Sequence, residues 1–324
     1  MCHVMKNAYP MTFSRLRSAK LGIALGGGAA RGFAHIGFLR EFAKVGLYPA
    51  CLSGCSIGAF VGAAYAGGDW TGFVQRVLAM HWRELLALVD PVLPRCGLMG
   101  GDKALEFLAE FLRVENLEDC SPPLAVNATD AVTGEEVIFT NGPIIPAIRA
   151  SIALPGMFTP GQQGNRMLLD GGLVNPLPVS LCRQLGAEVI VAVDLNAHVL
   201  NTDHCRFEEN ATGAWSDAVK DMVRKILEKQ PLLARYVSSE PDDKPNTGPS
   251  ARMLGLFEVL INSIYIMQRT LNRVRLEKDP PDVLIAPELR AYRLLDFLKG
   301  KECSEVGAKA AQEFLHSLPD LEKP

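Results

Sequence analysis

The first clear apolar run, Leu21-Gly22-Ile23-Ala24-Leu25, is short, free of charge and closed by glycine, which predicts a strand buried on both faces. The period then changes. Over residues 33–45, Phe33, Ile36, Phe38, Leu39, Phe42 and Val45 recur at roughly helical spacing, and Gly46 is placed to close the helix in the left-handed conformation. A second copy of this pattern follows: a strand at 49–53 runs through Gly54-Cys55-Ser56-Ile57-Gly58 into an Ala- and Gly-rich helix over 59–66. Residues 70–120 read as mainly helical pieces, broken at Pro91, Pro94 and 97–101. Strands are predicted at 124–129 and 135–140 about the turn Thr133-Gly134, a helix over 144–152, a strand at 167–169 and a further buried strand at 188–195. Later, Met253, Leu256, Phe257, Leu260, Ile261, Ile264 and Leu271 recur at helical spacing, and 283–286 and 302–315 read as a last strand and helix. The order of elements is that of an α/β fold with a parallel core sheet and no internal repeat.

Two segments stand outside the pattern. Residues 1–20 carry scattered polar and basic groups without periodicity and read as a flexible leader. Between 229 and 250, Pro231, Pro241, Pro245 and Pro249 sit among Ser, Asp, Asn and Lys, the composition of a flexible surface insertion in a domain spanning 21–324. Arg269, Arg273 and Arg275 cluster at the end of the late helix, which leaves two readings: a core helix with a basic C-terminal turn, or a membrane-surface or dimer helix.

Composition narrows the class. The chain has 324 residues, 48% hydrophobic and 21% charged, with a formal net charge of -3, which excludes a disordered or fibrous protein and argues against a dedicated nucleic-acid binder. Arg15, Arg17 and Lys20 before an apolar run mimic a signal peptide, but Gly26-Gly27-Gly28 makes that run a poor hydrophobic helix. No stretch reaches the roughly 18 apolar residues of a transmembrane span. The cysteines at 2, 51, 55, 96, 120, 182, 205 and 303 form no C-x-x-C pair and no zinc-like cluster, so they read as reduced thiols in a cytoplasmic protein, soluble or peripheral at the inner membrane, without a metal.

Three loops carry candidate chemistry. Gly54-Cys55-Ser56-Ile57-Gly58 has the G-x-S-x-G form of a nucleophile elbow, whose sharp strand-to-helix turn tolerates only small neighbours, here Gly54 and Gly58. The loop from Gly26 to Gly32 lets backbone N–H groups approach an anion closely. It misses the dinucleotide fingerprint, since position 31 is Arg and the second strand ends without an acidic residue for a ribose, and it lacks the G-K-[ST] of a Walker loop. An oxyanion hole serving Ser56 remains, with Arg31 either a partner for an anionic head group or a surface arginine. Asp170-Gly171-Gly172, after a short apolar strand, offers either a base for the serine or a turn; as a base, Asp170 needs a desolvated site, because a free Asp titrates near ~3.9.

Together with Ala150-Ser151-Ile152-Ala153-Leu154-Pro155, these blocks resemble, in order, the bacterial patatin-like phospholipases, acyl hydrolases that use a Ser-Asp dyad. The resemblance covers residues 20–200 well and continues loosely to about 281–285. It implies a three-layer α/β sandwich, Ser56 as nucleophile, Asp170 as base, and backbone amides of Gly27, Gly28, Ala29 and Ile57 as oxyanion donors. It also implies a lipid ester substrate, no cofactor and no metal, and leaves room for peripheral membrane contact and a homo-oligomer.

Two other readings stay open. An α/β-hydrolase triad needs a histidine after the acid, and His198, His204 and His316 satisfy that order, although only two strands precede Ser56 and none of these histidines sits in a glycine-framed loop. His35 and His81 lie in predicted helices and read as structural. A regulatory or scaffold protein of the same fold would use the basic segment 269–278 or the insertion for its contacts.

Overall fold

The computed structural model describes residues 11–92, 97–198 and 256–321. Nearly all of them belong to one compact unit, Met1–Leu200 with Ile261–Pro324; a second, Asn201–Leu260, is described only from residue 256. The predicted insertion at 229–250 lies outside the described residues.

Among the described residues the core is an eight-stranded sheet. Its strands are β1 (Leu21–Leu25), β2 (Cys51–Cys55), β4 (Leu124–Asp130), β5 (Glu136–Phe139), β7 (Gly161–Gln163), β8 (Arg166–Asp170), β9 (Val189–Val193) and β10 (Val283–Ile285). The order is β10-β9-β1-β2-β4-β8-β7, with β5 also on β4. From β10 to β4 the strands run parallel; β5 and β8 pair antiparallel with β4, and β7 pairs antiparallel with β8. A separate pair joins β3 (Gly97–Met99) to β6 (Gly156–Phe158). The central strands LGIAL and VIVAV are buried at every position, the consequence of helices covering both faces.

The α-helices among the described residues are α1 (Phe13–Ser18), α2 (Ala34–Lys44), α3 (Ile57–Gly67), α4 (Trp70–Leu78), α5 (Trp82–Ala87), α6 (Asp102–Ala109), α7 (Ile144–Ser151), α8 (Val179–Gln184), α9 (Leu256–Lys278) and α10 (Gly300–His316). On one side α10 packs closely on α2: a Cβ at Gly37 would lie 1.8 Å from Ser304 O, so only glycine permits this separation. Phe38, Phe42 and Phe314 fill the seam as a ring cluster.

Three expectations change. Residues 13–18, placed in the leader, form α1, capped by Thr12, with Leu16 buried in the core and Asp320 accepting from Ser14 N at 2.9 Å. Within 70–120 the helices are interrupted by β3, too short to leave a period in the sequence. His81 precedes α5 as its N-cap rather than lying inside a helix. No helix among the described residues is long and apolar enough to cross a membrane.

Register concentrates the predicted motifs. Leu25 pairs with Gly54, Cys55 with Asn127, and Ala128 with Asp170, so the glycine loop after β1, the elbow after β2 and the acid ending β8 emerge side by side. Crevices at the carboxyl ends of parallel strands are where open α/β sheets bind ligands.

Candidate active site

Ser56 sits between β2 and α3 with φ 55° and ψ -123°, a conformation non-glycine residues rarely adopt and a local store of strain. Close packing holds it there. A Cβ at Gly54 would fall 2.5 Å from Ala59 Cα, and one at Gly58 would fall 2.1 Å from Leu25 O, so both motif glycines are required by approach of backbone to backbone. The Ser56 N–H donates to Ser151 Oγ at 2.8 Å.

Facing it, Asp170 Oδ2 accepts from Ser56 Oγ at 2.6 Å, and Oδ1 accepts from the Gly172 N–H at 2.7 Å. The backbone of Asp170 is fixed as well: its N–H donates to Ala153 O at 3.0 Å, and its carbonyl accepts from Thr129 Oγ1 at 2.8 Å. Ser151 and Ala153 thus give the Ala150–Pro155 block a physical meaning, since it grips both partners. The loop beyond Asp170 rests on Asn127, whose Nδ2 donates to Asn175 O at 3.0 Å and Glu136 Oε1 at 3.1 Å. Asp170 is 1% exposed, and burial pushes its carboxyl up to about 6, against the pull of the Ser56 hydroxyl, the Gly172 amide and the Cys55 thiol. The desolvated site that a carboxylate base requires is therefore present. The buried Cys55 thiol is itself driven well above its ordinary value by burial and by the neighbouring Asp170 charge.

The glycine loop lies alongside, with one difference from expectation. Gly27 N–H donates to Pro176 O at 2.9 Å, so that amide is already committed and cannot serve an oxyanion without breaking its bond. Gly28 and Ala29 instead line a cavity of about 20 Å³ together with Ser56, Asp170, Leu154, Leu294 and residues of α9. Ala29 adopts φ 47°, and Ile57 occupies the first turn of α3, where helix N–H groups face outward. His35 holds the start of the loop: its Nε2 donates to Gly26 O at 2.8 Å, and complete burial lowers its pKa to about 4, so it is neutral near pH 7.

Arg31 departs from both sequence readings. It is 1% exposed, its Nε donates to Gly28 O at 3.3 Å, and its guanidinium lies 4.5 Å from the centre of the Tyr265 ring. The cavity is lined by Tyr265 and not by Arg31.

Several residues at the site carry no motif. Ile261, Ile264, Tyr265 and Gln268 of α9 complete the cavity wall. Gln268 reaches both flanking loops: its Oε1 accepts from Asn196 Nδ2 at 3.2 Å, Asn196 also donates to Gly27 O at 3.1 Å, and a Cβ at Gly172 would lie 2.4 Å from Gln268 Nε2. The only advance signal was the helical period that placed α9 somewhere against the core. Of the triad candidates, His316 is exposed at the end of α10, His204 lies outside the described residues, and neither His198 nor any other described histidine bonds to Ser56 or Asp170.

A mixed α/β sheet that presents a strained serine to a buried carboxylate at a cavity defines the class. The chain belongs to the patatin-like phospholipase family, whose profile matches residues 23–183. An uncharacterized NTE family protein of Mycobacterium tuberculosis is 30% identical over 334 positions, which cover 93% of this chain and 92% of that protein. Lysophospholipase NTE1 of Pyricularia oryzae is 29% identical over 94% of this chain, and patatin-like phospholipase domain-containing protein 7 of Rattus norvegicus is 28% identical over 91%; the matches cover 19% and 21% of those longer proteins. Among solved structures, VipD from Legionella pneumophila overlays with a TM-score of 0.43 at 15% identity, covering 92% of this chain and 66% of that one. Membership in this family supports lipid hydrolase activity.

Proposed function

We propose that the protein hydrolyses carboxylic esters of lipids through a Ser56–Asp170 dyad, with a lysophospholipid as the substrate class favoured by the name of its fungal relative. The observation that carries this reading is the 2.6 Å bond from Ser56 Oγ to a buried Asp170 whose pKa is raised to about 6. Ser56 Oγ attacks the acyl carbonyl as its proton passes to Asp170 Oδ2. The oxyanion is received by the N–H groups of Gly28 and Ala29 and by that of Ile57, the residue after the nucleophile. Collapse of the tetrahedral intermediate expels the alcohol, which takes the proton from Asp170. Water then attacks the acyl-enzyme, gives its proton to the Asp170 carboxylate and releases the fatty acid; Ser56 recovers its proton from Asp170.

The pH dependence follows in sign from the raised pKa. Asp170 accepts a proton only as the carboxylate, so kcat/KM for fatty-acid release from a lysophosphatidylcholine is expected to fall about tenfold per pH unit below about 6 and to be level above 7. A rate that stays level down to pH 4.5 in folded protein excludes Asp170 as the base. Folding must be followed in parallel. His35 is neutral in the fold with its pKa near 4, so the stability it contributes is present above about 6.5 and is lost as the pH falls toward 4.

A further inference from the structure

α9 is assembled the wrong way round for a helix on a water-soluble surface. Towards the core it buries Gln268 and Asn272, 5% and 4% exposed, beside Ile261, Ile264 and Tyr265. To solvent it presents Ile266, Met267 and Val274, at 56%, 39% and 42%. Seven residues on a helix complete nearly two turns, so Ile266 shares a line with Arg273, and Met267 shares one with Val274 and Lys278. Arg269, Arg273 and Lys278 are exposed along this stretch, and Glu277 is the sole carboxylate between Ile266 and Lys278. Apolar side chains interleaved with cations are the composition of a helix that lies in the interface of an anionic membrane.

The inner face of the same helix closes the cavity at Ser56. That cavity, about 20 Å³, holds roughly one water molecule, whereas sites for drug-sized ligands occupy about 300–1,000 Å³. An acyl chain therefore reaches Ser56 only if the wall formed by Ile261, Ile264 and Tyr265 moves. Part of what holds that wall is polar and replaceable by water: Gln268 to Asn196 at 3.2 Å, Arg275 Nε to Val174 O at 2.8 Å, and Arg275 to Glu136 at 3.5 Å. Withdrawing the wall in water would expose its apolar side chains; at a lipid interface those groups meet hydrocarbon instead.

We propose that the outward face of α9, through Ile266, Met267 and Val274 with Arg273 and Lys278, docks on an anionic lipid surface, and that docking withdraws its inner face from Ser56. This rests on the lipid-ester reading above. A second copy of the chain fits the face less well, because the five apolar side chains that α9 exposes, Val259, Leu260, Ile266, Met267 and Val274, fall short of the roughly 1,200 Å² a stable interface buries, and the cations would face their equivalents across a two-fold axis.

The test uses the full chain and the double variant Ile266→Asp, Met267→Asp, both sites being exposed. With vesicles of phosphatidylcholine containing phosphatidylglycerol, the wild type is expected to co-sediment, and more weakly with phosphatidylcholine alone. The double variant should lose at least about tenfold in bound fraction and in hydrolysis of vesicle lipid, while its rate on a soluble short-chain nitrophenyl ester stays within about twofold of wild type. Arg273→Glu, Lys278→Glu should abolish the preference for anionic vesicles. Wild-type sedimentation of the double variant overturns the docking face, as does a wild-type dimer in solution that the variant dissociates. Failure of the hydrolase reading looks different: the wild type binds vesicles but cleaves neither vesicle lipid nor soluble ester, which overturns the opening step and leaves the docking face standing.

Discussion

Asp170→Asn is expected to lower kcat by about 10⁴-fold at pH 8 while leaving the protein folded and more stable than the wild type. On the proposed mechanism, the rate is lost with the carboxylate that accepts from Ser56 Oγ and takes its proton. The gain in stability has a separate origin. Burial raises the Asp170 carboxyl from 3.8 to about 6, so above pH 6 the native state carries a buried charge at a cost of roughly 3 kcal/mol. Asparagine removes that charge and keeps the geometry, since its carbonyl can accept from Gly172 N–H and its amide can donate to Ser56 Oγ. Below the folded-state pKa, Asp170 is protonated and the penalty is relieved. The stability difference should therefore be largest at pH 8, of order 1–3 kcal/mol after imperfect replacement of the bonds, and should shrink as the pH falls from 6 towards 4. Chemical denaturation of both proteins at pH 8 and pH 5 measures it; equal differences at the two values would refute the origin of the raised pKa in burial.

Ser56→Gly is the second large effect, and its two halves also run in opposite directions. Removal of the hydroxyl eliminates the proposed nucleophile, and turnover is expected to drop at least about 10³-fold, to the level supported by binding and oxyanion contacts alone. Glycine, however, adopts φ 55° without the strain a serine suffers there, so the melting temperature should rise, with a gain of about 1 kcal/mol. Ser56→Ala, which loses the hydroxyl but keeps the strained backbone, separates the two: it should be as inactive as the glycine variant and less stable. A glycine variant no more stable than the alanine variant would show that the turn is not strained.

Much of the site was legible because it depends on neighbours in sequence. β1 and β2 stand out as apolar runs, and the glycines after them mark where backbone must approach backbone, as Gly54 and Gly58 do against Ala59 and Leu25. Asp170 and the Ala150–Pro155 block were legible as motifs but not in function: that Ser151 accepts from Ser56 N–H is a contact across 95 residues, which no local pattern encodes. The same holds for Asn196 and Gln268, polar residues whose importance lies only in what the fold brings to them. Gly27 misled for the opposite reason. Its place in the motif suggested a free donor, whereas Pro176, which takes its N–H, is remote in the chain. Arg31 misled because a charge surrounded by glycines reads as exposed; the fold lays the Tyr265 ring against it. α1 was missed because its anchors, Leu16 and the Asp320 contacts, are too sparse to form a period.

The most direct measurement of the central claim is labelling of the purified protein with a fluorophosphonate, mapped to residues by mass spectrometry, with Asp170→Asn run beside the wild type. The expected result is label on Ser56 alone in the wild type, slowed at least about a hundredfold in the variant, because phosphonylation requires the same activated oxygen as acyl transfer. Folded wild-type protein that takes no label on Ser56 in the presence of anionic vesicles, or a variant that labels at the wild-type rate, would contradict a Ser56–Asp170 dyad.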